Sequence, residues 1–395
     1  MVASLATRPD TTAPVLAAVA ELAPRLAARA AETEADRRVP LDLVDDLRAA
    51  GCFRMFLPRS HGGDELDLVT GMRVLEELAR ADGSAGWVVA IGSAGWLDLC
   101  DLPRSTFDAL YADGPVVTAG VFAPSGTAEP ADGGYRIRGR WAFASGCEHA
   151  DLLYGNCIDL GEAAAAGASA AGPPPMRIAV FAPDQVTIED TWRVSGLRGT
   201  GSHHIVVDDV VVPAERTYPV MRSEACVDVA LTRIPLPTPL TPPLASLAVG
   251  IAQGALDDVL GLAGGKQPLF APGALATSPL FQHTLATADA RLRAARAVIH
   301  EDAADLFATA AAGSPITDDL RARVRAGAIW ATDAAAEVVD AAYRAGGGTS
   351  LYEASPLQRR LRDIHAVTQH FLVRPDAMVT CGAVMAGQEA DTSLL

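Results

Sequence analysis

The spacing of apolar residues changes twice along this chain, and that change constrains the fold more than any single motif. From about residue 13 to 112 apolar residues recur every three to four positions, as in VLAAVAELAPRLAARAAETEADR and LDLVDDLRAAGCF, which predicts amphipathic helices. Between about 116 and 214, short β-branched runs such as MRIAVFAP and HHIVVDDVVVP alternate with Gly, Pro and Asp turns, which predicts strands. From about residue 238 long Ala-rich amphipathic segments return, enough for a four-helix bundle.

These changes predict a multi-domain α+β protein. We expect an N-terminal helical domain over residues 1–115, a central β domain of barrel or sandwich type over 116–232, and a C-terminal helical bundle over 233–395. Inside the β domain, GEAAAAGASAAGPPP at 161–175 has low complexity and is predicted to be an exposed, flexible loop.

The charge and the motifs that are missing exclude several functions. A net charge of −16 opposes binding to nucleic acid or to an anionic membrane surface. The single lysine, Lys266, is followed by Gln267, so no phosphate-binding G-K-[ST] loop exists, and no G-x-G-x-x-G follows a strand. The most apolar stretch, PPLASLAVGIAQGALDDVLGLAG, contains Gln253, Asp257 and Asp258 too early for a membrane span.

Cysteine usage and the N-terminal pattern bear on location. Six cysteines are scattered without C-x-x-C or zinc-finger spacing, as is typical of reduced thiols in a cytoplasm. The N-terminal region has no basic segment followed by an apolar one, so no targeting signal is indicated. We therefore expect a cytoplasmic protein.

Four segments, taken in order, resemble the acyl-CoA dehydrogenase superfamily over essentially the whole chain. They are GYRIRGRWAFASGCEHAD at 134–151, WRVSGLRGTGSHHIVVDDVVVP at 192–213, LAVGIAQGALDD at 247–258 and SPLQRRLRDIHAVTQH at 355–370. The likeness is closest to the flavin-dependent monooxygenase branch, whose oxygenase components receive reduced flavin from a separate reductase. The resemblance implies the dehydrogenase-like fold, a small-molecule substrate and a homotetramer.

The two branches of this superfamily require different catalytic groups. A dehydrogenase needs a carboxylate base, which in the family follows the R-D pair of the last long helix or lies on an earlier bundle helix. Here the first neighbourhood reads Thr368, Gln369, His370, and residues 259–288 contain no Asp or Glu. The sequence therefore argues against acyl-CoA dehydrogenase or oxidase activity.

His370 and Ser145 are the predicted catalytic residues. By resemblance the chain works through a flavin C4a-hydroperoxide, with His370 as the base for a phenolic substrate and Ser145 orienting the substrate oxygen or the flavin N5 edge. On a continuous helix Asp363 and His370, seven apart, fall within about 20° of each other. His365 and His370, five apart, diverge by roughly 140°, so we expect no shared metal and a structural role for His365.

The remaining candidates concern the cofactor. Trp141 is a weak flavin contact, with core packing as the alternative; Thr200 and Ser202, in GLRGTGSHH, are expected to hold the flavin's polar edge or phosphate, or to form an ordinary turn. By resemblance Gly347 and Gly348 approach a neighbouring subunit's cofactor, with a helix cap as the alternative.

The expected cofactor is reduced FMN, with O2 as co-substrate. FMN is favoured over FAD because dehydrogenases of this fold commonly place an early bundle Arg on the FAD pyrophosphate, and no Arg lies between residues 233 and 291. The predicted function is hydroxylation of a small, aromatic or phenolic molecule. The alternatives are N-oxygenation of an amino sugar, acyl-CoA dehydrogenation or oxidation, and a non-catalytic binding role.

Overall fold

The computed structural model describes residues 13–166, 174–220 and 225–395. Within them, the α-helices that precede the first strand are α1 (Pro14–Asp36), α2 (Leu41–Ala49), α3 (Leu68–Ala81), α4 (Gly83–Ala94), α5 (Trp96–Leu99) and α6 (Arg104–Leu110). The α3 and α4 helices each begin after an aspartate. The Asp67 and Asp82 carboxylates accept the N–H groups of Thr70 and Ala85 at 2.9 and 2.8 Å, which satisfies donors that a helix start leaves unpaired.

The strands form one mixed sheet. They are β1 (Thr118–Ala131), β2 (Gly134–Ala144), β3 (Leu152–Asp159), β4 (Met176–Phe181), β5 (Thr187–Glu189), β6 (His203–Pro213) and β7 (Thr217–Pro219). Their order across the sheet is β5-β6-β2-β1-β3-β4-β7. The β1 and β3 strands run parallel, and the other neighbours run antiparallel.

The low-complexity segment begins with a helix instead of the predicted flexible loop. The α7 helix spans Leu160–Ala166, and the Asp159 carboxylate accepts the N–H groups of Gly161 and Glu162 at 3.1 and 3.0 Å. This cap, followed by a run of alanines with high helix propensity, explains the helix. Within the rest of the predicted loop, residues 167–173 lie outside the described residues.

The two faces of the sheet have different neighbours. One face holds a core of its own, in which the ring centroids of Trp141 and Phe181 lie 5.9 Å apart. On the other face Tyr154, Ile178 and Val180 belong to the same core as the helices. This second face therefore provides apolar contacts between the sheet and the helices.

The C-terminal region consists of α8 (Thr241–Ala263), α9 (Pro279–Ala311), α10 (Asp318–Gly346), α11 (Pro356–Val367) and α12 (Met378–Met385). The α8 helix is long and apolar enough to cross a membrane by length and composition, but 72% of its most apolar window is buried inside the protein. It contacts α3, α9, α10 and α11, so it is the central helix of the bundle.

The predicted order of helical, β and helical regions, and with it the fold class, is confirmed. The boundaries at 115 and 232 remain predictions. One expectation is wrong in its geometry: α11 ends at Val367, so His370 lies in the turn beyond it. On a continuous helix Asp363 and His370 would share one face, and His365 and His370 would diverge by roughly 140°. Because the helix ends before His370, neither relationship applies to the folded chain.

Candidate functional site

Ser145 and His370 both contact the side chain of Trp87. Ser145 comes directly after the last residue of β2, and Trp87 lies on α4. The Trp87 Nε1–H donates to Ser145 Oγ at 3.0 Å, and the buried Trp87 ring contacts His370 edge-on, with centroids 5.4 Å apart. The structure thus brings together both predicted catalytic residues. Sequence analysis missed Trp87, because nothing in its GSAGW context distinguishes it from a core tryptophan.

The backbone around Ser145 has an unusual conformation. Phe143 has φ = 69°, and Gly146 has φ = 73°; a positive φ is uncommon for a residue with a side chain. The Ser145 N–H donates to the Phe143 carbonyl at 2.9 Å, and the Gly146 N–H donates to the Thr200 carbonyl at 2.9 Å. The strand therefore ends in a tight turn that leaves the Phe143 ring 69% exposed.

Three buried hydroxyls form a chain whose direction can be deduced. Thr200 Oγ1–H donates to the Leu197 carbonyl at 2.8 Å. Because a hydroxyl has one hydrogen, the 2.7 Å contact between Thr200 and Ser202 requires Ser202 to donate. The 2.7 Å contact between Ser202 and Ser145 then requires Ser145 to donate. Ser145 Oγ also accepts a hydrogen bond from the Trp87 N–H. Its second lone pair can still accept one further hydrogen bond.

Thr200 and Ser202 differ from their predicted role in one respect. Both side chains are buried, with exposed fractions of 1% and 2%, and their hydroxyls are used within the chain of hydrogen bonds. Their hydroxyls orient Ser145 instead of presenting themselves to a ligand.

Asp363 connects α11 to this turn. Its Oδ1 accepts the Leu197 N–H at 2.6 Å, and Leu197 has φ = 49°. Gly196 packs so closely on α11 that a Cβ would lie 1.9 Å from the Arg362 carbonyl oxygen. Burial raises the pKa of Asp363 to about 7, against the opposing effect of the Leu197 hydrogen bond and with a further increase from Asp82.

His370 is a neutral ring in this environment. Burial, and then the positive charge of Arg325, lower the pKa of His370 to about 4. Its Nδ1 accepts the Leu372 N–H at 3.3 Å, so the single proton of the neutral imidazole lies on Nε2. Because the nitrogen that could take a proton already accepts a backbone hydrogen bond, this geometry favours a donor role, and the role of His370 as a base stays a prediction. The described atoms provide no partner for Nε2–H, which can donate to a ligand.

Trp141 and the two glycines lie outside this group. Trp141 is fully buried in the sheet core, and its Nε1–H donates to the Asn156 carbonyl at 2.7 Å, so the predicted flavin contact is replaced by core packing. Gly347 and Gly348 lie exposed after α10, and Gly347 has φ = 54°. The Lys266 ammonium donates to Gly346 O and to Thr349 Oγ1 and holds this turn. No described contact joins the turn to Ser145 or His370.

Two other histidines, His365 and His203, have structural partners. His365 is exposed, and its Nε2 lies 3.1 Å from an Asp340 carboxylate oxygen. His203 is buried, and its Nδ1 accepts the N–H groups of Thr191 and Trp192, both at 3.2 Å. Over the described ranges no group of three or more His, Cys, Asp or Glu side chains is placed to hold a metal ion.

A surface groove of about 450 Å³ lies near the Gly201 turn, apart from Ser145 and His370. Its lining is mostly charged or polar and consists of Asp36, Arg37, Arg38, Glu148, Ile188, Asp190 and His203. Arg37 pairs with Asp190, and Arg38 pairs with Glu148. These two ion pairs use both arginines of the groove.

Residues 13–99 match the N-terminal domain model of acyl-CoA dehydrogenases, and residues 243–375 match their C-terminal domain model. An indole-3-acetate monooxygenase from Pseudomonas putida is 35% identical over 364 residues, which cover 92% of this chain and 91% of that protein. The chain belongs to the acyl-CoA dehydrogenase family.

Within the family, two further comparisons identify the branch. The oxygenase component of an FADH2-dependent resorcinol hydroxylase from a Rhizobium species is 34% identical over 389 residues, 94% of this chain and 93% of that protein. The structure of XiaF from a Streptomyces species, in complex with FADH2 and glycerol, superposes with a TM-score of 0.88 at 26% identity, covering 96% of this chain and 97% of the other. This family member is an oxygenase component of the flavin-dependent monooxygenase branch.

The residues around Ser145 fit a reduced flavin. Reduced flavin carries a hydrogen on N5, and the direction of the hydroxyl chain leaves Ser145 as an acceptor for such a donor. The exposed Phe143 ring at the same strand end offers apolar surface to a planar ring system. These two features were not evident from the motifs, because both depend on backbone angles and hydrogen-bond directions.

Proposed function

We propose that this protein hydroxylates a small aromatic molecule, using O2 and a reduced flavin delivered by a separate reductase, at the site formed by Ser145, Trp87 and His370. The proposal rests on two contacts of Trp87: its hydrogen bond to Ser145 and its edge-on ring contact with His370. The aromatic substrate class is supported by the relatives, whose names specify indole-3-acetate and resorcinol.

When bound, a reduced flavin would supply the two electrons with which one atom of O2 is inserted into the substrate and the other is released as water. Ser145 would accept the hydrogen on N5 of a bound reduced flavin and so favour the reduced form's protonation state. Thr200 and Ser202 fix the direction of the Ser145 hydroxyl. The buried Trp87 excludes water from one side of Ser145.

His370 acts as a hydrogen-bond donor in this proposal. Its Nε2–H donates to an oxygen on the substrate or on the reacting centre, where negative charge develops. A neutral donor suits this role at neutral pH, because its pKa of about 4 keeps the ring uncharged. A phenolic substrate deprotonated by solvent would be stabilised by the same hydrogen bond.

Acyl-CoA dehydrogenation gains no support from the contacts of the site. A carboxylate must lie where it can take the α-proton of the thioester. The described contacts of Ser145 and His370 involve no carboxylate. The nearby Asp363 is buried and accepts the Leu197 N–H, so it is not directed at a substrate.

Reduced FMN remains the proposed flavin. The absence of Arg between residues 233 and 291 leaves the early bundle without the cation that commonly meets the FAD pyrophosphate. Two of the compared proteins carry FADH2 in their names, so parallel titrations with both reduced flavins provide the test. Tighter binding of FADH2 would reverse this assignment and leave the activity unaffected.

A homotetramer and a cytoplasmic location are also proposed. Large apolar side chains are strongly exposed on the C-terminal helical region, including Leu269, Phe270, Leu280, Leu351 and Tyr352, and such surface commonly marks a protein interface. Gly347 and Gly348 lie beside this surface in the chain and would then face a neighbouring subunit. The six free cysteines suit a reducing compartment.

The test uses chemically reduced FMN, O2 and a panel of phenols and indoles, with an amino sugar and an acyl-CoA as alternatives. We expect hydroxylated product from at least one aromatic compound, and a delay before oxidised flavin appears in stopped-flow absorbance. Ser145→Ala and His370→Ala should lower the yield of product per flavin oxidised. His365→Ala, on the exposed face of α11, is the matched control and should behave as wild type. Equal yields in all four proteins would contradict the assignment of the site.

A further inference from the structure

A buried guanidinium without an acidic partner lies next to His370. Arg325, on α10, is only 2% exposed. Its Nη2 donates to the Phe371 carbonyl at 2.6 Å, whereas Nε and Nη1 have no hydrogen-bond partner. Among the described residues no carboxylate lies within ion-pair distance of it. A buried cation in this state costs free energy that a bound anion would recover.

The other buried arginines show that this chain ordinarily pairs such groups. Arg177, Arg321 and Arg360 are 8%, 8% and 6% exposed. Each meets a carboxylate: Asp159 at 2.7 Å, Asp318 at 2.9 Å and Asp258 at 3.1 Å, respectively. Arg325 is therefore the exception among the buried arginines of the described residues.

No acid near Arg325 is available to pair with it. Asp376 contributes a favourable charge at a distance, but its two carboxylate oxygens lie 3.2 and 2.6 Å from the guanidinium nitrogens of Arg374. Cys381 is the other ionisable neighbour, and burial raises the pKa of its thiol above the ordinary value, so it stays neutral. Among the described residues, therefore, no negative charge pairs directly with Arg325.

The position of Arg325 relates it to the proposed reaction site. The carbonyl that it holds belongs to Phe371, the residue after His370, and the next N–H, that of Leu372, donates to His370 Nδ1. The positive charge of Arg325 also contributes to the lowered pKa of His370. An anion bound to Arg325 would therefore lie beside the imidazole that faces the ligand.

We propose that Arg325 binds a carboxylate of the aromatic substrate, which makes the substrate an aryl carboxylate such as an arylacetate. The inference rests on the proposed function and narrows its substrate class. The two unpartnered nitrogens of Arg325, Nε and Nη1, supply charge-assisted hydrogen bonds to the carboxylate. The carboxylate end is then held at α10, and the aromatic ring extends towards His370 and Ser145.

Three acid and amide pairs test this proposal: benzoate and benzamide, phenylacetate and phenylacetamide, and indole-3-acetate and indole-3-acetamide. Each is titrated calorimetrically, without O2, into the full-length protein carrying reduced FMN. We expect at least one acid to bind the wild type about tenfold more tightly than its amide. Arg325→Gln should weaken binding of that acid by about thirtyfold or more and change binding of the amide by less than about threefold.

Two variants control for folding and for charge. Arg321→Gln removes a buried arginine one turn earlier on α10, whose partners are Asp318, Thr238 and the Leu395 carbonyl; it should keep the wild-type preference for the acid. Arg325→Lys retains a cation and should keep part of that preference.

Two results would overturn the anion site. One is a wild type that prefers no acid to its amide. The other is an Arg325→Gln protein that loses acid and amide binding equally, which would mean that Arg325 only supports the turn after α11. Hydroxylation is measured separately, so a protein that binds the acids selectively but oxygenates no aromatic compound would contradict the proposed function and retain the site.

Discussion

Trp87 donates its indole N–H to Ser145 Oγ at 3.0 Å, and the same ring meets the imidazole of His370 edge-on at 5.4 Å between centroids. These three residues come from α4, from the end of β2 and from the turn after α11, so the contact joins all three parts of the fold. Trp87 touches both residues that the motifs identify, and we infer that it positions them relative to each other.

Trp87→Phe should separate the two contacts of this residue. The phenyl ring keeps an aromatic neighbour for His370, but Ser145 loses a fixed donor, a change worth about 1 kcal/mol. We expect the yield of product per flavin oxidised to fall about fivefold, with reduced-flavin affinity near that of wild type. Trp330→Phe, on the partly exposed face of α10, is the control. An unchanged yield in Trp87→Phe would show that the N–H is not needed.

Asp363→Ala should loosen the turn that carries Thr200 and Ser202. The substitution leaves the buried Leu197 N–H without its acceptor, which costs about 1–3 kcal/mol in the free energy of unfolding. Weaker binding of reduced flavin should accompany this loss. Asp363→Asn retains an acceptor oxygen and should bind flavin nearly as wild type does. Denaturant unfolding and flavin titration measure the two effects, and equal flavin binding by both variants would contradict the link.

The pH dependence of activity tests the state of His370. Because its folded pKa is about 4, well below the ordinary value of 6.5, the ring stays neutral between pH 6 and 8. We therefore expect His370→Gln to reduce the rate by the same factor at pH 6 and pH 8. A wild-type rate that falls below pH 6.5, with that fall abolished in His370→Gln, would show instead that the imidazole gains a proton in this range.

Substitution of His370 should also change how the free energy of unfolding depends on pH. A group whose pKa is lowered by folding stabilises the folded state above its unfolded pKa, and this contribution is lost as the pH falls from about 6.5 to 4. The wild type should thus lose more unfolding free energy than His370→Gln over that window. Urea titrations at pH 6.5 and 4.5 measure the difference.

The contribution of Asp98 to the free energy of unfolding should change with pH in the opposite direction to that of His370. It is buried, its Oδ2 accepts the Tyr154 hydroxyl at 2.7 Å, and its Oδ1 has no described partner. Burial raises the pKa of Asp98 to about 7, so the stability associated with its protonated form is present below about pH 4 and is lost as the pH rises to 7. The loss is at most about 4 kcal/mol. Asp98→Asn, which imitates the neutral acid, should reduce this slope between pH 5 and 7; an unchanged slope would contradict the assignment.

The long helices could be predicted from the sequence because several local signals agree. The Ala-rich amphipathic pattern of α9 and α10 extends over their observed lengths. Each helix follows a capping side chain, Ser278 or Thr317, which accepts a backbone N–H at 3.5 or 3.2 Å. Residue 51 illustrates the same principle, since the glycine after α2 has φ = 87°, a conformation that few other residues adopt.

The details of the candidate site could not be predicted in the same way. Trp141, Phe143 and Ser145 alternate in sequence and should share one face of a regular strand. The register of β2 against β6 shifts between Trp141 and Ala144, and Phe143 has a positive φ. Trp141 therefore enters the sheet core while Phe143 is exposed. Irregularities of this kind depend on tertiary packing, which local sequence patterns do not encode.

The proton position on His370 is a second example. The R-D-x-H-x-x-x-x-H motif identified the residue, but the end of α11 at Val367 and the Leu372 N–H determine which nitrogen faces the ligand. Both features arise from the turn that follows the helix. The resemblance therefore suggested the residue and a role as a base, whereas the hydrogen bond that favours a donor role is visible only in the structure.

Labelled O2 shows whether this protein inserts an oxygen atom into an aromatic substrate. The purified protein is mixed with chemically reduced FMN, an aromatic substrate from the panel and 18O2, without a reductase, and the product is analysed by mass spectrometry. We expect one 18O atom in each molecule of hydroxylated product. The yield of that product should be lower for Ser145→Ala and for His370→Ala. Recovery of all the label in hydrogen peroxide and water, with every aromatic compound unchanged, would contradict the proposed function.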